Sequence, residues 1–252
     1  MEPDYLIALR CAHLSNEVYK EFNDSLRFSK LPNLKPTFFD IESTDTQVAL
    51  LEDPDTQFGY IVFRGSDADR DWLTNLDFSR WSAVTDAVLD DTELDYPDIY
   101  EASHFGVKMH SGFTKAYLAA RSEIHGVVQQ SSMTRWIITG HSLGGALAKL
   151  CAVDLQYNFS EKISVEMYSF GAPRVGNDAF TESYNRRVLK SWRFVNGNDV
   201  VSGLPRRWQR YRHVDTRIRL GSRFTWRIVS GSLQDHRIDR YIAAIAQHVA
   251  GL

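Results

Sequence analysis

The stretch that decides the fold reads WIITGHSLGGALA, residues 136–148. Its apolar start predicts a buried strand over 136–139, and the segment rich in Ala and Leu predicts a helix over 143–157. Between the two, Gly140, Ser142 and Gly144 fit the pattern G-x-S-x-G, which places a serine on a tight strand-to-helix turn. Free N–H groups at the start of the helix favour negative charge there. Ser142 is therefore the predicted nucleophile.

Strand and helix patterns alternate along the rest of the chain. Helices are predicted over 3–22, 112–128 and 238–249, and strands over 38–41, 48–51, 58–63, 165–170, 191–195 and 213–220. This alternation favours an α/β fold with a central, mostly parallel sheet flanked by helices. There is no internal repeat and no linker of low complexity, so we expect residues 1–252 to form a single domain.

Composition excludes several classes of protein. The 252 residues are 43% hydrophobic and 24% charged, which excludes collagen, coiled coils and a fully disordered chain. A net charge of −3 gives no bias toward nucleic acid, and no apolar run is long enough for a transmembrane segment. The two cysteines lie in no metal-type spacing, and the N-terminus carries no secretion signal. These features predict a cytoplasmic protein with free, buried thiols.

The charge is unevenly distributed. Residues 1–100 carry 21 acidic and 8 basic side chains, whereas the remainder carries 11 acidic and 21 basic ones. The basic excess lies over 206–227 and indicates either a solvated face or a surface that meets an anion. Residues 82–101 are acidic and irregular, which predicts a long surface loop.

Several short blocks resemble the class 3 (fungal-type) lipase family of the α/β-hydrolase superfamily. The serine segment is one of them, and the others follow in the family's order: residues 62–66, 71–76, 110–113, 168–177 and 198–205. The resemblance extends from about residue 58 to 240. It implies an α/β-hydrolase fold and hydrolysis of carboxylic esters, often of glycerolipids, without a metal or cofactor.

A serine hydroxyl needs a base, and the base needs an orienting acid; α/β-hydrolases supply them in the order Ser, Asp, His. Asp199 follows the predicted strand 191–195, and the resemblance assigns the acid to this position. Asp178 and Asp215 are the rivals, but Asp178 precedes that strand and Asp215 lies inside a predicted one. Asp199 is the predicted acid.

The base is expected on a late loop before the closing helix. His236 occupies such a position, in the block Asp235-His236-Arg237. His213 and His248 also follow Asp199, but they fall within a predicted strand and a predicted helix. His236 is the predicted base.

The oxyanion hole requires two N–H donors. One is expected from Leu143, the residue after the nucleophile. The resemblance assigns the other to Ser66, which also suits the N-cap of a helix over 67–76.

Residues 67–109 include a predicted lid and the acidic insert. The lid is strongly polar, so a short-chain ester or a monoacylglycerol is as plausible a substrate as an aggregated triglyceride. Further side chains are expected at the substrate, although some of them could be plain core: Trp72, His141, Val200, Val201 and Leu204.

The favoured hypothesis is a serine carboxylic-ester hydrolase, a lipase or esterase, that acts on acylglycerols through an acyl-enzyme on Ser142. Its partner is an ester or lipid substrate, with transient contact to a lipid interface. Two alternatives stay open: a phospholipid acyl hydrolase whose arginines meet a phosphate, and a catalytically silent binding protein of hydrolase fold. The scaffold also admits a peptidase or thioesterase.

Overall fold

A sheet of seven strands runs through the chain in sequence order. The computed structural model describes residues 2–20, 22–23, 25–65, 106–214, 216–221 and 234–251. The first three strands pair antiparallel, and the remaining pairings from the third strand onward are parallel. The strands are β1 (Thr37–Ile41), β2 (Thr46–Asp53), β3 (Phe58–Phe63), β4 (Arg135–His141), β5 (Ser164–Phe170), β6 (Lys190–Asn196) and β7 (Thr216–Leu220).

Helices cover both faces of the sheet, which confirms the predicted α/β class. The helices are α1 (Tyr5–Glu17), α2 (Ser111–Gln130), α3 (Leu143–Phe159), α4 (Asp178–Arg187) and α5 (Ile238–Ala250). Buried residues of α1 and α5 form a core with one face of the sheet, and those of α2, α3 and α4 form a core with the other. Strand β4 contributes Ile137 to the first core and Ile138 to the second, as expected for a strand that is buried on both faces.

The parallel strands fix where the chemistry lies. Strands β3 to β6 all end at the same edge of the sheet, and the loops that leave this edge begin near Arg64, Ser142, Gly171 and Gly197. Ligands of open α/β sheets bind at such an edge, outside the carboxyl ends of the strands.

Three elements differ from the sequence-based expectation. Helix α1 ends at Glu17 rather than near residue 22, because the Glu17 carboxylate accepts the backbone N–H of Ser29 at 2.9 Å and the chain turns back. Strand β7 begins at Thr216, because His213 is held in the preceding loop by the Ser202 carbonyl at 2.8 Å. Helix α4 was not predicted, since its apolar face consists of little more than Phe180 and Tyr184.

Two expectations about the whole chain stay predictions. Residues 67–105 of the predicted lid and insert lie outside the described residues, and so do Ser66 and Trp72. The single-domain organisation of residues 1–252 is likewise untested. In the part of the chain that the structure describes, no helix is both long and apolar enough to cross a membrane.

A buried carboxylate joins the nucleophile helix to α2. Asp154 lies on α3 with a fully buried side chain and accepts hydrogen bonds from Arg121 at 3.0 Å and His125 at 2.6 Å. The hydroxyl of Tyr117 donates to it as well, and Asn158 donates at 2.7 Å. Burial alone would raise the pKa of Asp154, but the donors outweigh this and hold the pKa below its ordinary value. The network therefore stabilises the fold only while Asp154 is ionised.

Replacing Asp154 with Asn should lower the free energy of unfolding by about 1–3 kcal/mol at neutral pH, because buried donors lose a charged acceptor. The contribution of a carboxyl with a lowered folded pKa is present above its unfolded pKa of about 3.9 and is lost as the pH falls through the folded value. Urea unfolding at several pH values measures this. The difference between the two proteins should shrink at acid pH.

Asp55, which is exposed, supplies the matched control. Its replacement with Asn should change the free energy of unfolding by less than about 0.5 kcal/mol. An Asp154→Asn protein as stable as the parent at neutral pH would contradict this account of the network.

Candidate active site

The turn between β4 and α3 holds Ser142 in a strained backbone conformation. Its φ is 55° and its ψ is −126°, a combination that side chains other than glycine rarely adopt. The Ser142 N–H donates to the carbonyl of Phe170 at 3.0 Å, and the Ser142 carbonyl accepts the N–H of Gly145 at 3.0 Å. The turn is thus anchored to β5 on one side and to the first turn of the helix on the other.

Glycines are required on both sides of this turn by close approach of the backbone. A Cβ atom on Gly140 would lie 2.4 Å from the carbonyl of Gly144, and one on Gly144 would lie 2.4 Å from the Phe63 oxygen. Helix α3 therefore starts pressed against the ends of β3 and β4. This close packing explains why the two glycines of the predicted motif frame the serine.

The three residues predicted as nucleophile, base and acid lie in one hydrogen-bonded chain. The distance between His236 Nε2 and Ser142 Oγ is 3.0 Å, and that between His236 Nδ1 and Asp199 Oδ2 is 2.9 Å. All three side chains are buried, with Ser142 only 2% exposed. The arrangement can take a proton from a serine hydroxyl while a buried carboxylate holds the imidazole in one orientation.

Asp199 is held by donors in addition to His236. Its Oδ1 accepts the backbone N–H of Val201 at 2.9 Å, and the hydroxyl of Tyr241 donates to its Oδ2. Burial and the neighbouring carboxylate raise the pKa of the Tyr241 hydroxyl well above its ordinary value, so this group stays protonated and donates. The sequence shows Tyr241 only as one residue of the buried face of the closing helix, and its contact with Asp199 was not predicted.

Two loops that carry the acid and the base are fastened to each other. The Asn196 side chain donates to the carbonyl of Asp235 at 3.1 Å, and the Asp235 carboxylate accepts the N–H of Asn198 at 2.8 Å. Gly171, with a φ of 59°, lies against both loops: a Cβ atom there would be 2.6 Å from Asp199 Oδ2. Only glycine leaves room for the pair of Asp199 and His236 at this point.

His141, which precedes the nucleophile, is a tie between segments in this structure. Its Nε2 donates to the backbone carbonyl of His236 at 2.7 Å, and its Nδ1 lies 3.1 Å from the hydroxyl of Tyr19. Burial, and then His236, lower the pKa of His141 to about 3, so the ring is neutral. A neutral ring that donates from Nε2 has Nδ1 free to accept, and the Tyr19 hydroxyl is its donor. The contacts of His141 run to α1 and to the His236 loop, and the predicted contact with substrate stays untested.

The remaining predicted residues are distributed as follows. Leu143 is the first residue of α3, so its N–H has no acceptor one turn earlier in the helix. Val201 and Leu204 are buried and Val200 is half-buried in the loop after Asp199. Their roles toward substrate stay predictions, as do those of Ser66 and Trp72.

The rival residues lie in other surroundings. Asp178 is the first residue of α4 and pairs with Arg212 at 2.8 Å, and His213 donates to the Ser202 carbonyl. His248 lies in the last turn of α5, and Asp215 falls outside the described residues.

Metal-ligand clusters and free thiols were also searched for. No group of three or more His, Cys, Asp or Glu side chains is arranged to hold a metal ion within the described ranges. Cys11 and Cys151 are buried free thiols.

Comparison with known proteins places this geometry in a family. The model of the family "Lipase (class 3)" matches residues 60–208. A lipase of Rhizomucor miehei is 35% identical over 153 residues, which is 58% of this chain and 37% of the relative. A secreted mono- and diacylglycerol lipase of Fusarium solani is 30% identical over 157 residues, or 61% of this chain and 41% of the relative. The alignments thus span less than half the length of these curated relatives.

The same similarity holds in three dimensions. The structure of the Rhizomucor miehei lipase in complex with its propeptide superimposes with a TM-score of 0.67 at 25% sequence identity. The match covers 92% of this chain and 77% of that one.

The comparisons correct the expected location. The prediction of a cytoplasmic protein is wrong, because the relatives point to an extracellular one: the Fusarium solani relative is itself named as secreted. That prediction depended on the absence of a recognisable signal and on scarce cysteines, neither of which bears on the site. By contrast, the family match covers the strand-turn-helix around Ser142 and the loop of Asp199. The chain belongs to the class 3 lipase family.

Proposed function

We propose that this protein is a serine carboxylic-ester hydrolase that acts on acylglycerols through an acyl-enzyme on Ser142. The observation that carries the proposal is the hydrogen-bonded chain from Ser142 through His236 to Asp199, at 3.0 and 2.9 Å. Membership of a family whose relatives are named lipases, and in one case a mono- and diacylglycerol lipase, supports the choice of substrate.

The first half of the reaction forms the acyl-enzyme. Ser142 Oγ attacks the ester carbonyl carbon while His236 Nε2 takes the hydroxyl proton. The carbonyl oxygen becomes an oxyanion, which the Leu143 N–H at the start of α3 is positioned to receive, with Ser66 as the second predicted donor. His236 then gives its proton to the leaving alcohol oxygen as the carbon–oxygen bond breaks.

The second half returns the enzyme to its starting state. Water attacks the acyl carbon, and His236 Nε2 takes one of its protons. Collapse of the second oxyanion breaks the bond to Ser142 Oγ, which recovers its proton from His236, and the fatty acid leaves. Asp199 stays ionised throughout and keeps the Nδ1–H of His236 directed toward itself.

The setting of the enzyme follows from the same proposal. An acylglycerol is presented at a lipid surface, so the protein is expected to contact that surface transiently. The secreted relative supports an extracellular site of action. We further propose that residues 1–252 act as one domain.

Replacing Ser142 with Ala should abolish ester hydrolysis, by a factor on the order of 10⁶ in kcat, because the nucleophile is gone. The measurement is hydrolysis of p-nitrophenyl esters from acetate to palmitate, followed by mono-, di- and triacylglycerols and phosphatidylcholine. The strained turn and the cores do not involve the hydroxyl, so the variant should unfold at the temperature of the parent.

Each outcome of that series is informative. Acylglycerol hydrolysis that the Ala variant lacks supports the proposal, and faster hydrolysis of phosphatidylcholine would replace it with a phospholipid acyl hydrolase. Residual activity of the variant equal to the parent would refute Ser142 as the nucleophile. A parent that is silent on every ester would favour a binding protein of hydrolase fold.

Replacing Tyr241 with Phe should lower kcat about tenfold, which corresponds to roughly 1.4 kcal/mol, and leave KM nearly unchanged. The reason is that the Tyr241 hydroxyl acts through Asp199 and does not touch the reacting atoms. Steady-state kinetics on a soluble p-nitrophenyl ester separate the two constants.

Tyr117 provides a matched control for this substitution. It is also a buried tyrosine whose hydroxyl donates to a buried carboxylate, that of Asp154. Its replacement with Phe should cost similar stability with no change in kcat. Equal kinetic losses in both variants would mean that the Tyr241 hydroxyl serves the fold alone.

A further inference from the structure

One exposed turn combines an indole ring with three guanidinium groups. Residues Arg206–Arg210, here called the arginine turn, follow the loop of Asp199 and have the sequence Arg-Arg-Trp-Gln-Arg. Trp208 is 76% exposed, and Arg206, Arg207 and Arg210 are exposed around it. A large aromatic side chain left in water is the unusual feature, since tryptophan is highly buried on average.

The turn is braced, so this exposure is a fixed property of the fold. Its backbone closes as a 3₁₀ turn, in which the N–H groups of Gln209 and Arg210 donate to the carbonyls of Arg206 and Arg207 at 3.0 Å. The Gln209 side chain accepts the N–H of Arg206 at 2.7 Å. The guanidinium of Arg212 donates to the carbonyl of Arg207 at 3.1 Å.

A second guanidinium supports the chain just before the turn. Arg174 donates through its Nη1 to the carbonyl oxygens of Gly203 and of Pro205, the latter at 2.6 Å. Its backbone N–H donates to the carbonyl of Leu204 at 2.7 Å. The base of the arginine turn is therefore fixed to the segment that follows β5.

Positive charge accumulates here without an equal number of carboxylates. In the described residues, Asp178 pairs with Arg212, whereas none of the exposed guanidinium groups of Arg206, Arg207 and Arg210 forms an ion pair. Burial, and then the surrounding arginines, lower the pKa of Arg174 to about 10. Both observations describe a surface with unmatched positive charge.

A groove lies beside the turn. Its volume is about 490 Å³, with Trp208, Gln209 and Arg210 on one side and Gly106, Lys108 and Asn177 on the other. The Asn177 side chain is engaged by the backbone N–H groups of Lys108 and Phe180, at 3.1 and 3.0 Å, which holds the far wall in place. A groove between an indole ring and two cationic side chains suits an anionic head group.

The turn also lies on the functional side of the molecule. It follows Asp199 in the connection that leaves the carboxyl end of β6, the sheet edge that carries Ser142. A surface bound at the turn is consequently bound to the loop that holds the catalytic acid.

We propose that the arginine turn binds the surface of an anionic phospholipid bilayer, with Trp208 at the level of the head groups. Each arginine near such a surface contributes attraction, and the amphipathic indole prefers the boundary between water and lipid. Charge complementarity and the exposed indole together select a bilayer over a soluble anion, which needs no apolar anchor. That the bound bilayer delivers the ester to Ser142 rests on the proposed function.

The test separates binding from hydrolysis. The Ser142→Ala protein is sedimented with vesicles of phosphatidylcholine alone and with vesicles in which a third of the lipid is phosphatidylglycerol. We expect partitioning only to the anionic vesicles, and less of it at high ionic strength. Changing Arg206, Arg207 and Arg210 together to Ala should weaken it about a hundredfold, whereas changing them to Lys should preserve most of it.

The chain offers two matched controls. Leu189 is as exposed as Trp208, at 76%, so Leu189→Ala should leave partitioning unchanged while Trp208→Ala weakens it about tenfold. Changing the exposed Arg27, Arg217 and Arg240 to Ala removes the same charge from outside the turn and should have a smaller effect. Equal losses from the two triple variants would refute a specific surface.

Other occupants give different results. Competition by inorganic phosphate beyond that of sodium chloride at equal ionic strength would make the groove a phosphate site and overturn the bilayer assignment. Binding of polyglutamate that does not depend on Trp208 would indicate an acidic protein partner instead. Partitioning of the parent to neither type of vesicle would also overturn the proposal.

Hydrolysis of a soluble p-nitrophenyl ester distinguishes this inference from the proposed function. The triple Ala variant should retain the parent's rate on that ester and lose rate only on esters embedded in anionic vesicles. An enzyme inactive on every ester that still partitions through the turn would refute the proposed function alone. An active enzyme whose triple variant partitions like the parent would refute the inference alone.

Discussion

The backbone of Ser142 is the constraint on which the site depends. Conformations with a positive φ at a residue other than glycine cost about 1–3 kcal/mol and persist only where the surroundings determine them. Here β4 is buried on both faces of the sheet and α3 is buried along most of its length, so neither neighbour can move to relax the turn. The strain holds the hydroxyl at the sheet edge and leaves the first N–H groups of α3 beside it.

The remainder of the site is positioned by ties between distant segments. His236 is held through its side chain by Asp199 and through its backbone carbonyl by His141, whose other ring nitrogen meets Tyr19 near the end of α1. Tyr241 adds a bond from the closing helix to Asp199. Catalytic loops are otherwise the more mobile parts of a protein. In this chain, hydrogen bonds from both ends of the sequence fix the loop of the base.

How much of this the sequence predicts depends on whether a feature is local. The strand, turn and helix around Ser142 could be predicted because periodicity and two glycines lie within thirteen residues, and Asp199 and His236 followed from their order along the chain. Tyr19, Tyr241 and the network of Asp154 could not, since their partners lie far away in sequence and a buried hydroxyl resembles any core tyrosine. Helix α4 was missed for a different reason, because its apolar stripe is too narrow to show periodicity.

Arginine serves two physical purposes in this protein, and one residue connects them. The Arg174 guanidinium is partly withdrawn from water and spends its donors on backbone carbonyls, a task that suits its planar, forked geometry. Those carbonyls lie between Ser202, whose hydroxyl donates to the carbonyl of Asp199 at 2.7 Å, and the exposed arginines. The loop of the catalytic acid and the arginine turn thus share one brace. Because of that brace, a force applied at the turn is carried to Asp199 by the backbone itself, and the orientation of the protein on a surface becomes the orientation of its active-site edge.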